Sequence, residues 1–312
     1  MMQVIDGKPF VRPCRSIPSD GFEHSDFMPS VCTLYDPLTR LTPLAGCAML
    51  KPSRIGGEPR IAAALRDEAP WLAEAIDSIA DQVAMSLWAG QPWLSLRPML
   101  LVGPPGAGKT HFARRLGELS GCGDAVLSFA GVNSNAELAG NPRGFRHAQP
   151  CFPACVIKRT GTANPVVIVD EVEKACPGHM GDPVATLLGM LERSTAVRFF
   201  DGCLAAEIDL SHINWILTAN SIVNLPAPLL SCVQVVEVAG PGPEHAETIL
   251  AALWRDIASE RGLPPAAMPQ LEAAAGVMLL RLFRNTRSVR RLRPAIETLI
   301  AVSAWHAPRV LN

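Results

Sequence analysis

Met99-Leu-Leu-Val102 followed by Gly103-Pro104-Pro105-Gly106-Ala107-Gly108-Lys109-Thr110 is the stretch on which the fold turns. Its four apolar residues predict a strand buried on both faces, and residues Lys109 to about Leu119 carry a helical pattern. Between them lies G-x-x-x-x-G-K-[ST], in the strand-to-helix setting that gives the pattern its meaning. Glycines there let backbone N–H groups turn inward as an anion-binding nest at a helix N-terminus. Lys109 brings a positive charge to the β- and γ-phosphates of a nucleoside triphosphate, and the Thr110 hydroxyl can ligate Mg²⁺. Residues Gly103 to Thr110 are therefore expected to hold a nucleotide with Mg²⁺, and ATP is the expected ligand.

Downstream, VVIVDEVEK ends an apolar run at Asp170 and Glu171, 170 − 109 = 61 residues beyond the lysine. One carboxylate at such a strand end can hold the hydration shell of Mg²⁺, and a second can polarise an attacking water. An acidic pair can also simply open a helix, where the dipole favours it. In company with the phosphate loop, Asp170 reads as the Mg²⁺ partner and Glu171 as the general base. WILTAN ends at Asn220, 220 − 170 = 50 residues later, where an amide could orient the water, although asparagine is also a common turn former. Thr286-Arg287-Ser288-Val289-Arg290-Arg291 opens a later helical stretch. An arginine there could swing onto the γ-phosphate, whereas Arg290, Arg291 and Arg293 also fit a solvated basic face.

Short apolar runs alternate with helical stretches from Met99 to Asn220, including AVLSF (125–129) and a helix near Val184–Leu191. That alternation predicts an α/β fold with a mainly parallel sheet. Upstream, Trp71, Leu72, Ala75, Ile76, Ile79, Val83 and Leu87 recur at helical spacing behind Pro70, and Gly90 with Pro92 closes the helix. After Pro243 three helical stretches are expected: Glu244–Arg261, Gln270–Phe283 and Arg287–His306. The expected organisation is a Pro/Gly-rich leader (1–60), a nucleotide-binding α/β domain (61–242) and a small helical lid (243–312). ATP should lie in the cleft between domain and lid, outside the carboxyl ends of the strands.

Composition narrows the remaining classes. Of 312 residues, 48% are hydrophobic and 18% charged, which allows a large core, and the formal net charge of −1 offers no field to attract nucleic acid. No run approaches the ~18 apolar residues of a membrane span; the richest, Ala273 to Leu280, stops at Arg281. The N-terminus lacks the apolar centre of a signal peptide, so a cytoplasmic protein is expected. The nine cysteines are scattered. His147, Cys151, Cys155, Cys176 and His179 lack the paired C-x₂-C spacing of a structural zinc site, and buried small hydrophobes are the expected reading of the cysteines.

Taken in order, the phosphate loop, the Asp-Glu strand, the strand-end Asn and the helical lid with its Arg resemble AAA+ ATPases, above all the ATPase module of Lon proteases. The resemblance runs from about Pro98 to Ser303 and is carried by GPPGAGKT, TANPVVIVDEVEK (the Walker B segment), GDPVATLLGMLE and LTANSIVNLPAPLL. It implies that Asn220 is sensor 1 and Arg287 sensor 2. ELAGNPRGFRHAQP resembles the Lon pore loop and places Phe145 where a substrate-gripping aromatic would sit. The implied protein is a Mg²⁺-dependent ATPase that assembles as a homo-oligomeric ring and remodels or translocates protein.

Three features depart from that pattern. The family's Asp-Arg pair after PLL, whose arginine reaches a neighbouring subunit's ATP, reads Ser231-Cys232, and no Lys or Arg occurs from Ser221 to Trp254. Arg193 or Arg198 could supply the charge from elsewhere. No peptidase domain follows the lid before Asn312, so ATP hydrolysis without peptidase activity is expected of this chain. The Pro-rich leader does not resemble a Lon substrate-binding domain. The missing arginine motivates an alternative, an ATP-binding switch or scaffold with little hydrolysis. A DNA-associated loader is disfavoured by the neutral charge, the single tyrosine and the lack of a DNA-binding module.

Overall fold

The computed structural model describes residues 4–5, 8–9, 54–55, 58–91, 93–132, 134–145, 147–178, 181–264, 268, 273–286 and 289–306. Two short antiparallel ladders come first, β1 (Val4–Ile5) with β2 (Lys8–Pro9) and β3 (Arg54–Ile55) with β4 (Glu58–Pro59). Helices α1 (Arg60–Glu68) and α2 (Ala73–Trp88) follow. The central region contains β5 (Met99–Val102), α3 (Lys109–Ser120), β6 (Asp124–Ser128), α4 (Ala136–Ala139), α5 (Phe152–Thr160) and β7 (Val166–Asp170). It continues with α6 (Pro183–Leu191), α7 (Arg193–Ala196), the hairpin β8 (Phe199–Asp201) and β9 (Ala206–Ile208), then β10 (Asn214–Ala219), α8 (Ala227–Cys232) and β11 (Gln234–Glu237). Three helices close the described chain: α9 (Ala246–Glu260), α10 (Ala273–Thr286) and α11 (Val289–His306).

The five-stranded sheet has the order β11-β5-β10-β7-β6 with every pair parallel. Parallel neighbours require crossovers, and the helices that make them cover both faces. Alternate strand residues therefore enter opposite cores. Leu100, Val167, Val169, Trp215 and Leu217 join one cluster with α5 and α6, while Met99, Leu101, Val166, Ile168 and Ile216 join another with α1, α2 and α3. This two-sided burial is why the central strands read as unbroken apolar runs. A third cluster, built from Ile249, Leu253, Leu279, Phe283, Leu292 and Ile296, belongs to α9, α10 and α11. Trp71 is half-buried and packs against both the α1–α3 core and this helical one.

The architecture is the α/β P-loop fold with a helical lid expected above, and several details differ. The helical spacing behind Pro70 starts as a 3-10 turn, Pro70–Leu72, before α2 begins at Ala73. A separate helix, α1, precedes it, and the break falls at Ala69 (φ −140°, ψ 64°). A residue before proline is pushed out of the α region, so the helix ends there. Strand β10 starts at Asn214 and stops at Ala219, leaving Asn220 just beyond it. The last two helices are described over Ala273–Thr286 and Val289–His306, and the expected openings at Gln270 and Arg287 lie outside the described residues. Strand β11 and the β8–β9 hairpin were not expected; β11 buries only Val236, so its residues lack the unbroken apolar signal. The leader lies outside the described residues apart from the two ladders and Arg60. Among the described residues no helix is long and apolar enough to cross a membrane, and no group of three or more His, Cys, Asp or Glu is placed to hold a metal ion.

Candidate nucleotide site

The phosphate-loop residues leave the end of β5 under tight constraint. The Gly103 N–H donates to the Ala219 carbonyl at 3.1 Å, and a Cβ on Gly103 would stand 2.2 Å from the Val238 carbonyl oxygen. Gly106 (φ 84°) and Gly108 (φ 88°) adopt left-handed backbone that other residues take at a cost. Gly108 then caps the N-terminus of α3. The indole N–H of Trp71 donates to the Ala107 carbonyl at 2.9 Å, tying the loop to the 3-10 turn before α2.

Lys109 is only 7% exposed. Its Nζ donates to the carbonyls of Gly103 (2.7 Å) and Pro104 (3.0 Å) and to Asn220 Oδ1 (3.3 Å). Burial lowers its pKa; Glu173 and Asp170 oppose the shift, and Arg290 adds to it. Thr110 Oγ1 donates to Asp170 Oδ1 at 2.9 Å, and the Thr218 hydroxyl donates to the same oxygen. A threonine hydroxyl beside a carboxylate is a hard oxygen donor set suited to Mg²⁺.

Past Asp170 the chain turns through Glu171, one of two non-glycine residues with positive φ (56°) among those described. Its N–H donates to Thr218 Oγ1 at 3.2 Å, and Lys174 Nζ lies 2.7 Å from its Oε1. A single 3-10 turn, Val172–Lys174, then brings Glu173 back to Asn220. Both the backbone N–H and Nδ2 of Asn220 donate to Glu173 Oε1, at 3.0 and 2.9 Å.

These groups surround a cavity of about 240 Å³ lined by loop residues 105–110, Asp170, Glu171, Thr218 and Asn220, with Val289 and Arg290 contributed by α11. A second cavity, about 370 Å³ and largely apolar, shares Gly108, His111, Val289 and Arg290 with the first. Trp71, Phe112, Ile249, Leu253 and Pro294 supply its apolar walls. At its edge Arg115 binds Glu68 through two bonds of 2.7 and 2.8 Å. Burial would raise the Glu68 pKa, but its hydrogen bond and ion pair with Arg115 outweigh that and hold it below the usual carboxylate range.

The structure thus gathers residues 105–110, Asp170, Glu171 and Asn220 around one cavity, with Gly103 and Pro104 holding the lysine from behind. Arg287 lies outside the described residues. Its neighbour Arg290, which also fitted a solvated face, lines both cavities, whereas Arg293 pairs with Glu260 and Glu297. Trp71, Thr218 and Glu173 were missed by sequence reasoning, because only tertiary proximity distinguishes them from ordinary core and surface residues. Phe145 is 61% exposed on a loop closed by the Asn141–Gln149 bridge. Cys232 is the last residue of α8 and half-buried. Arg193 opens α7 and is exposed, and Arg198 lies 3.7 Å from Glu207.

Residues 99–240 match the family described as ATPase family associated with various cellular activities (AAA). The chain is 32% identical over 212 residues to a mitochondrial Lon protease homolog of Mus musculus, covering 65% of this chain and 21% of the relative. It is 33% identical over 207 residues to Lon protease 2 of Thermus thermophilus, covering 66% and 26%. Against a Lon protease of Methanosarcina barkeri the identity is 37% over 142 residues, covering 46% and 18%. The chain therefore spans only 18 to 26% of the length of these relatives. Among solved structures, an S. cerevisiae Hsp104:casein complex in its extended conformation superposes with a TM-score of 0.63 at 16% identity, covering 81% of this chain and 48% of that one. At such identity the likeness speaks to the fold.

Proposed function

We propose that this chain, which carries an AAA-family ATPase domain over residues 99–240, is a Mg²⁺-dependent ATPase that works on protein as a homo-oligomeric ring. The observation that carries this reading is the convergence of Lys109, Thr110, Asp170, Glu171 and Asn220 on one cavity, with the α11 residues Val289 and Arg290 closing it from the other side. The inward-facing loop backbone and the buried ammonium of Lys109 would bind the triphosphate. The adjoining apolar cavity, walled by Trp71, Phe112 and Leu253, has the size and surface to take the base. Thr110 directly, and Asp170 through water, would hold Mg²⁺, which neutralises charge on the β- and γ-phosphates when bound. Glu171 would accept a proton from water as the water oxygen bonds to the γ-phosphorus and the bond to the ADP oxygen breaks. In this reading Asn220 orients that water and Arg287 answers the γ-phosphate from the lid.

The domain boundaries proposed are those of the sequence reading: leader to residue 60, α/β domain 61–242, lid 243–312. Protein as the substrate is supported by two observations. Phe145 projects from a braced loop, and the Hsp104 structure that shares the fold is a complex with casein. A second reading, a nucleotide-dependent switch that hardly hydrolyses ATP, draws on Cys232 at the end of α8.

Glu171→Gln separates binding from chemistry. It removes the base while keeping the shape of the side chain, so ATP affinity should stay within about threefold while turnover falls by about 10² or more. Equal turnover in the wild type and this variant would exclude hydrolysis at this site.

A further inference from the structure

The side-chain amide of Asn220 sits between two opposite charges. Its Oδ1 accepts from Lys109 Nζ at 3.3 Å, and its Nδ2 donates to Glu173 Oε1 at 2.9 Å. The Asn220 backbone N–H adds a second bond to that oxygen at 3.0 Å. An ammonium carries only donors, and an ionised carboxylate only acceptors. Turning the amide by half a rotation would set its oxygen against the carboxylate and its NH₂ against the ammonium, losing both bonds. The partners therefore dictate which end of the amide faces which way.

Glu173 meets a cost in this position. Its second oxygen, Oε2, is buried and has no hydrogen-bond partner among the described residues, and an unsatisfied buried acceptor is destabilising. A residue serving only to form the middle of the 3-10 turn would not need a carboxylate there.

We propose that Glu173 is a positioning residue of this site, holding Asn220 with its carbonyl oxygen toward the nucleotide so that Asn220 acts there as a hydrogen-bond acceptor. The proposal rests on the ATPase reading and deepens it. With Lys109 drawn onto phosphate oxygens, Asn220 Oδ1 is left to accept a hydrogen bond from the attacking water, whose proton goes to Glu171. The NH₂ group, committed to Glu173, does not donate to the γ-phosphate.

The test uses Glu173→Leu, Asn220→Asp and the double variant in the full chain. Glu173→Leu removes the oxygen that accepts from both the backbone N–H and Nδ2 of Asn220. The amide can then turn either way, so kcat should fall about 10- to 100-fold while ATP affinity changes little. Asn220→Asp sets two carboxylates face to face and should also lose kcat. Adding Glu173→Leu to Asn220→Asp removes the opposing carboxylate and leaves an accepting oxygen toward the nucleotide, so it should raise kcat about tenfold over Asn220→Asp alone. A second readout needs no nucleotide: the Asn220 side-chain amide signal in a ¹⁵N–¹H spectrum, assigned by its loss in Asn220→Asp. It should lie away from the free-amide position in the wild type and move toward it in Glu173→Leu. A wild-type signal at the free-amide position, or wild-type kcat in Glu173→Leu, overturns the positioning role. A double variant no better than Asn220→Asp overturns the acceptor role. If ATP does not bind but the amide still moves in Glu173→Leu, the ATPase reading fails and the orientation stands.

Discussion

Gly103 leaves β5 with its Cα facing the carbonyl of Val238, and a methyl group built there would meet that oxygen at 2.2 Å. The obstacle is backbone, so it cannot rotate away as a side chain would. Gly103→Ala should therefore push β5 and the segment after β11 apart, costing on the order of 2–3 kcal/mol. A denaturant midpoint unchanged from wild type would refute this close approach. That position was legible as glycine from the eight-residue pattern alone, but the reason for it was not, because Val238 stands far along the chain. The same division holds across the site. Lys109, Thr110, Asp170 and Glu171 announce themselves by residue type and spacing, whereas Glu173 and Thr218 matter through the hydrogen bonds they make to Asn220 and Asp170. No periodicity or motif offset encodes those bonds.

Among the elements, the loop that carries Phe145 is held from outside itself. Arg143 donates through Nε to the Cys203 carbonyl at 2.6 Å and through Nη2 to that of Leu204 at 3.3 Å. Asp201, fully buried at the end of β8, accepts from the N–H groups of Cys203 and Leu204 at 2.8 Å each and from that of Cys151 at 2.7 Å. The hairpin turn and the start of α5 thus brace the loop from two sides, leaving the exposed aromatic on a fixed base. An asparagine at 201 would offer one accepting oxygen and turn an NH₂ toward a donor. Asp201→Asn should lose about 2–3 kcal/mol, read as a lower unfolding midpoint. Its loop amides should also exchange hydrogen faster while the nucleotide cavity is unaffected. Uniform loss of protection across the sheet would instead mean that Asp201 supports the whole fold. The central strands were readable because both faces are buried. This brace was not, since a lone aspartate in a short hairpin looks like any surface acid.

At the scale of the molecule, the nucleotide cavity is bounded by the sheet ends on one side and by α11 on the other, with Trp71 packed between the two units. Under the proposed function a nucleotide there would touch both, so its binding would be coupled to the position of α11. The end of α8 carries Cys232, at the position where the Lon resemblance implies an arginine. The two readings of function diverge on this point. If the site is competent and lacks only that charge, Cys232→Arg should raise turnover per chain by about 10-fold or more, given that such arginines contribute about 10³–10⁵ where they operate. The gain should grow with protein concentration, because the arginine would act on a neighbouring copy. If another residue such as Arg193 already serves, the wild type itself should show turnover per chain that rises with assembly, and Cys232→Arg should add little. A switch that holds ATP without hydrolysing it predicts a third pattern, with flat, near-zero turnover in the wild type at every concentration alongside tight binding. Measuring turnover against concentration for both proteins, beside their oligomeric state, separates the three. A Cys232→Arg protein that assembles and binds ATP yet stays as slow as a slow wild type would remove position 232 from the catalytic account.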